Sequence, residues 1–135
     1  MSVAPYIPLE DDEQATFVQW LELNQLKTTS IPNSTYTTSH KQKSKNRRLG
    51  LRAGFPDLVV LIPPSRSVNG KGFFLAIEMK RVKGGTLSEA QKEWRDAINE
   101  LDSINVASYV CKGAREAIDI VTRHLAGGAK NINPF

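Results

Sequence analysis

The chain has 135 residues, 40% of them hydrophobic, with 18 Lys and Arg against 14 Asp and Glu and a formal charge of +4. That length suits one domain with one core, read here as residues 1–135 with the core at about 10–125, and no apolar run approaches the roughly 20 residues that span a bilayer. One cysteine, Cys111, excludes an intramolecular disulfide framework and points to a reducing, cytoplasmic setting, while the acidic N-terminal segment lacks the basic-then-apolar layout of a secretory signal.

Residues 10–24 read as a helix, with Phe17 and Leu21 four apart and Val18 and Trp20 broadening the apolar face. Residues 26–31 suit a short strand. The tract 33–46 is rich in Ser, Thr and Lys, has no apolar period, and reads as a loop. In and just after it, Lys41, Lys43, Lys45, Arg47, Arg48 and Arg52 crowd together, either as a solvated basic loop or as a grip on a polyanion.

Leu58–Ile62 (LVVLI) is a continuous apolar run that suits a strand buried on both faces. Residues 64–72 make a turn, and 72–80 give a second strand ending in Ile77-Glu78-Met79-Lys80. After Gly84-Gly85, Ser88 is an N-cap with Gln91 as capping-box partner, and Ala90, Trp94, Ala97, Ile98 and Leu101 trace a helical stripe. Residues 106–111 form another strand; Ala114, Ala117, Ile118, Val121 and Leu125 mark a last helix ended by Gly127-Gly128. The tail 129–135 is frayed or available to a partner. The predicted order αβββαβα describes an α/β domain, a mixed sheet flanked by helices.

Asp57 follows Pro56, whose missing N–H would break a central ladder, so Asp57 belongs at the start of its strand. Glu78 and Lys80 sit near the end of theirs and share a face by the two-residue alternation. If the two strands are antiparallel neighbours, these ends meet. Two carboxylates beside an ammonium suit phosphodiester hydrolysis: Asp57 and Glu78 hold a divalent hard cation, the Met79 carbonyl adds a ligand, and Lys80 orients water. The competing reading is a turn-capping Asp57 and a surface Glu78–Lys80 pair.

Cys111 has no Cys or His partner nearby and reads as core. His40 and His124 lack zinc-ligand spacing. Trp20 and Trp94 sit at helical spacings and read as core rather than base-stacking platforms. No Gly-rich phosphate loop with a following Lys-Ser/Thr is present, so no nucleotide cofactor is expected.

The combination Gly54-Phe55-Pro56-Asp57, Ile77-Glu78-Met79-Lys80-Arg81 and Gly84-Gly85-Thr86-Leu87-Ser88-Glu89-Ala90-Gln91-Lys92-Glu93-Trp94 resembles the virus-type replication-repair nuclease (VRR-NUC) family of the PD-(D/E)XK superfamily, in particular its small stand-alone phage and prophage members. The basic lead-in at residues 46–57 is similar too, and the resemblance extends over about residues 10–125. It implies a restriction-endonuclease-like fold and Mg²⁺- or Mn²⁺-dependent nuclease activity. It assigns Asp57 and Glu78 to metal and Lys80 to catalysis, and places Gln91 near the site, although a capping-box role competes for that side chain. It also implies an acidic residue in a Glu-x-x-x-Gln pattern, matched by Glu10 and Gln14, with Glu13 competing. Pro32-Asn33-Ser34-Thr35 departs from the Pro-Asn-Gly-Gly common in relatives, which leaves that loop's conformation open.

The expectation is therefore a structure-selective DNA endonuclease, resolving four-way (Holliday) junctions as a homodimer in the cytoplasm of a phage's or prophage's bacterial host. Lys41, Lys43, Lys45, Arg47, Arg48 and Arg52 grip phosphates with little base readout. The rival readings are a monomeric flap, nick or duplex nuclease, a non-catalytic nucleic-acid-binding module, and a protein-interaction domain.

Overall fold

The computed structural model describes residues 8–32 and 39–129. In chain order it contains α1 (Glu10–Leu23), β1 (Lys27–Ser30), α2 (His40–Arg48), β2 (Leu58–Ile62), β3 (Phe73–Lys80), α3 (Glu89–Asn99), β4 (Val106–Lys112) and α4 (Ala114–His124), with a short 3₁₀ turn at Pro64–Arg66. The strands form one sheet in the order β1-β2-β3-β4. β1 and β3 run antiparallel to β2, and β4 runs parallel to β3. A parallel neighbour needs a crossover, which α3 supplies.

Alternation along the strands separates two faces. Leu58, Val60 and Ile62 of β2 and Leu75, Ile77 and Met79 of β3 are buried together with Phe17, Trp20 and Leu21 of α1 and Ala117, Ile118 and Val121 of α4. Asp57, Glu78 and Lys80 have the opposite parity, so they leave the backbone on the other face. There, Leu61 is 43% exposed and Phe74 39%, so β2 is not covered on both sides along its whole length. The outer edge of β4 is closed by a side chain. Asn99 Oδ1 accepts from the Ser108 N–H (2.9 Å) and Asn99 Nδ2 donates to the Ser108 carbonyl (3.2 Å), which satisfies main-chain groups that an edge strand leaves open.

One element departs from the sequence reading. Residues 40–48, read as loop, are helical, so the observed order is αβαββαβα. None of α2 is buried, which is why no apolar period announces it. Its helicity rests on local terms. Ser39 Oγ accepts from the Gln42 N–H (3.2 Å), Gln42 Nε2 donates to Asn46 Oδ1 one turn on (2.7 Å), and Lys45, Arg47 and Arg48 complement the dipole in the last turn. The readings of residues 33–38 as loop and 130–135 as tail lie outside the described residues. Among the described residues no helix is long and apolar enough to cross a membrane.

Candidate active site

The site is built at the end of the sheet where β2 begins and β3 finishes. Its approach is fixed by Gly54, which has φ +96° and sits against α3. A Cβ at this position would lie 2.6 Å from the carbonyl carbon of Ala90, so a side chain is excluded by both conformation and space. Phe55 then meets Trp94 edge-to-face, with ring centroids 5.2 Å apart. The segment reaching Asp57 is thereby held on the first turns of α3.

Leu58 opposes Ile77 in the antiparallel register. One step further, Asp57 opposes Glu78, a placement that brings Cβ atoms to about 4.5–5.5 Å. A second step sets Pro56 opposite Met79. An antiparallel ladder would aim the N–H of that residue at the Met79 carbonyl, but proline has none. The carbonyl is left without that ladder donor, while the Met79 N–H turns to the Asp57 carboxylate, donating to Oδ2 at 2.9 Å. The Pro-Asp pair thus ends the strand pairing with β3 and turns the Met79 N–H onto the Asp57 carboxylate.

Glu10, the first residue of α1, brings a third acid. One carboxylate oxygen from each of Glu10, Asp57 and Glu78 lies within 4.8 Å of the other two. Glu78 is 3% exposed and Lys80 8%, so the reading of these two as a solvated surface pair does not hold. Both Glu78 carboxylate oxygens are buried and find no hydrogen-bond donor among the described residues. Burial raises the Glu78 pKa to about 9, helped by a hydrogen bond to Asp57 and by the Asp57 charge, against the Lys80 ammonium. Asp57 is an acceptor like Glu78, so the two acids share a hydrogen bond only when one of them carries a proton. Burial also raises the Glu10 pKa, with Lys80 opposing and Asp57 and Asp11 adding to the rise. Three converging carboxylates with one ammonium, and two buried oxygens lacking a donor, fit a hard divalent cation.

The other predicted residues are placed as follows. Glu13 is 8% exposed and points elsewhere: its Oε2 would be 2.6 Å from a Cβ built on Gly113, at the start of α4. Gln91 completes the capping box, its Oε1 accepting from the Ser88 N–H (2.9 Å) and its N–H donating to Ser88 Oγ (3.2 Å). Lys41, Lys45 and Arg48 line one exposed groove of α2, which also carries Lys43, and Arg47 and Arg52 line a cleft against α3. Arg52 Nη1 donates to the carbonyls of Arg47 (2.8 Å) and Leu51 (3.0 Å), tying down the end of α2. Cys111 is buried, and burial pushes its thiol up to about 12, so it is an inert core group. Trp20 is core, 1% exposed. Trp94 is only half-buried, which its helical spacing did not reveal.

The family model for the VRR-NUC domain matches residues 4–115. The chain belongs to the VRR-NUC family. The matched span includes Glu10, Asp57, Glu78, Lys80 and Gln91. A solved structure titled "VRR_NUC domain protein" is 20% identical and superposes with a TM-score of 0.64, covering 89% of this chain and 90% of that one. That likeness shows the fold, a restriction-endonuclease-like mixed sheet flanked by helices. No curated protein gives a significant match. VRR-NUC domains are nuclease domains, so this chain has a nuclease-type function with DNA as its substrate, and the acidic cluster lies inside the segment that defines the family.

Proposed function

We propose that this VRR-NUC domain is a metal-dependent, structure-selective DNA endonuclease that resolves four-way junctions as a homodimer. The observation that carries the metal-dependent part is the meeting of one oxygen each from Glu10, Asp57 and Glu78 within 4.8 Å, with both oxygens of Glu78 buried and given no donor among the described residues. Asp57, Glu78, the Met79 carbonyl and Glu10 are the residues that would hold Mg²⁺ or Mn²⁺. When bound, the ion supplies charge neutralisation on the phosphate and a more acidic water.

The chain's own groups do the rest. Lys80, whose charge opposes the rise in pKa at both Glu78 and Glu10, donates to the attacking water and offsets the negative charge that builds on the phosphoryl oxygens. Gln91 uses its side-chain oxygen in the helix cap, which orients the amide and leaves the donor-bearing nitrogen for a phosphate oxygen. Lys41, Lys43, Lys45, Arg47, Arg48 and Arg52 hold flanking phosphates by charge, with little base readout.

A four-way junction has pseudo-two-fold symmetry and needs paired incisions, which a C₂ dimer supplies with two copies of the site. The test compares cleavage of a four-way junction and a linear duplex in Mg²⁺ while the oligomer mass is measured. Preferential, symmetric junction cleavage by a dimer supports the reading. A monomer that cuts linear duplex as fast replaces it with the general-nuclease alternative.

A further inference from the structure

The cleft between α3 and the segment leading to Asp57 contains groups that the hydrolytic site does not use. Its volume is about 640 Å³, and its lining includes Arg47, Arg52, Trp94, Ala90 and Ala97. That is in the range of small-ligand pockets.

Trp94 is held in place by two contacts. Its indole Nε1 donates to the Ala53 carbonyl (3.1 Å), and Phe55 meets it at 71°. The polar atom is satisfied, yet the side chain is half-buried, unlike Trp20 at 1% exposure. Ala90 and Ala97, one turn to either side of it on α3, are small, and both face the same space. An oriented indole between two alanines leaves room for a planar group.

The charge beside it is equally oriented. Arg52 is anchored through Nη1 on two main-chain carbonyls, so a phosphate meets a guanidinium whose ordering cost has already been met. Arg47 lies at the end of α2, continuous with that helix's cations. A rigid aromatic next to two guanidiniums is the combination that binds single-stranded nucleic acid, with the base on the ring and its phosphate on the cations. Glu93 is also in the lining, a carboxylate that would oppose a second phosphate and whose oxygens can, by their chemistry, accept from an exocyclic amine. The cleft is near the acids: four chain steps, at most about 3.6 Å each, lead from Ala53 to Asp57.

We infer that this cleft takes one unpaired nucleotide of the substrate, with its base on Trp94 and its phosphate on Arg47 and Arg52, so that the enzyme engages DNA where pairing is interrupted next to the scissile bond. The inference rests on the nuclease reading and adds to it the feature by which a branch or an end is recognised over continuous duplex.

The test uses the full chain in the presence of chelator, so that binding is read without cleavage. The probes are a duplex with an unpaired tail carrying a fluorescent adenine analogue and a blunt duplex of the same sequence. Ala97→Leu fills the cleft from an exposed position with a good helix former, so the fold is kept. Trp94→Leu removes the ring, and Trp94→Tyr retains an aromatic face. The expected result is a loss of about tenfold or more in affinity for the tailed duplex in Ala97→Leu and Trp94→Leu, unchanged affinity for the blunt duplex, and near-recovery in Trp94→Tyr. Quenching of the analogue should accompany wild-type binding and vanish in Ala97→Leu. Equal effects on both DNAs, or no effect of Ala97→Leu with quenching retained, overturns the inference. A wild-type protein that cuts both DNAs once Mg²⁺ is restored, while Ala97→Leu changes no affinity in chelator, overturns the cleft alone. A wild-type protein that binds neither DNA in chelator and cuts neither in Mg²⁺ overturns the nuclease reading and the cleft with it.

Discussion

The main-chain N–H of Met79 donates to Oδ2 of Asp57 at 2.9 Å, so the carboxylate at the start of β2 also holds the end of β3. Asp57 therefore carries a structural and a chemical burden, and two substitutions separate them. Asn at this position keeps an acceptor for the Met79 N–H but has no charge. Asp57→Asn is expected to fold with wild-type stability, to bind DNA, and to lose cleavage. Asp57→Ala is expected to lose cleavage as well and to be less stable by about 1–3 kcal/mol, the cost of a buried donor left unpaired. Urea denaturation beside a cleavage assay checks both. Retained cleavage in Asp57→Asn would remove this residue from the site.

Glu78 links pH to stability and to metal binding. Its folded pKa, about 9, is above the ordinary carboxylate value of 4.5. The folded state thus holds a proton that the unfolded chain gives up, and the sign follows. This contribution to stability is fully present below pH 4.5 and is lost as pH rises towards 9. A cation must displace the same proton, so metal affinity should climb across that window, with about one proton released per ion. Calorimetric titration of Mn²⁺ in buffers of different ionisation enthalpy reads the proton directly. Glu78→Gln should raise the melting temperature of the metal-free protein at alkaline pH and abolish the further rise that Mn²⁺ gives the wild type. A pH-independent affinity would contradict this account of Glu78.

Gly54 positions Asp57 without touching it. Gly54→Ala forces a Cβ to within 2.6 Å of the Ala90 carbonyl carbon at φ +96°. The expected outcome is a destabilisation of about 1–3 kcal/mol and a fall in turnover larger than the fall in DNA affinity, because the lead-in must shift away from α3. Turnover and binding measured side by side decide this. Wild-type turnover would show that the approach can move without moving the carboxylate.

The cations of α2 should act on DNA independently of sequence. Lys41, Lys45 and Arg48 line one groove, and each alanine substitution is expected to weaken binding uniformly and to reduce the slope of log affinity against log salt by about 1. Binding isotherms at several salt concentrations test this. An unchanged slope would place α2 away from the backbone path.

Much of this arrangement can be read in the chain, and the misses have physical causes. Leu58–Ile62 announces β2 because it is nearly all buried, and Ser88 with Gln91 announces α3 because a capping box is a local device. Pro56 fixed where β2 had to begin, and with it which strand ends meet. α2 was missed because periodicity reports burial, and this helix buries nothing. Glu10 and Glu13 could not be told apart because both precede the stripe of Phe17, Trp20 and Leu21, and only the packing of α1 against α4 sends Glu13 to Gly113. Trp94 shares its spacing with core residues, and the open side of α3 is a tertiary fact.

The most direct measurement is cleavage of a four-way junction by wild type and Glu78→Gln, with Mg²⁺ and with chelator. Cleavage by the wild type in Mg²⁺ alone, absent in the variant although it binds the junction, is the predicted result. Equal cleavage with and without the ion, or an active variant, would contradict the claim that the converging acids form a cation-holding nuclease centre.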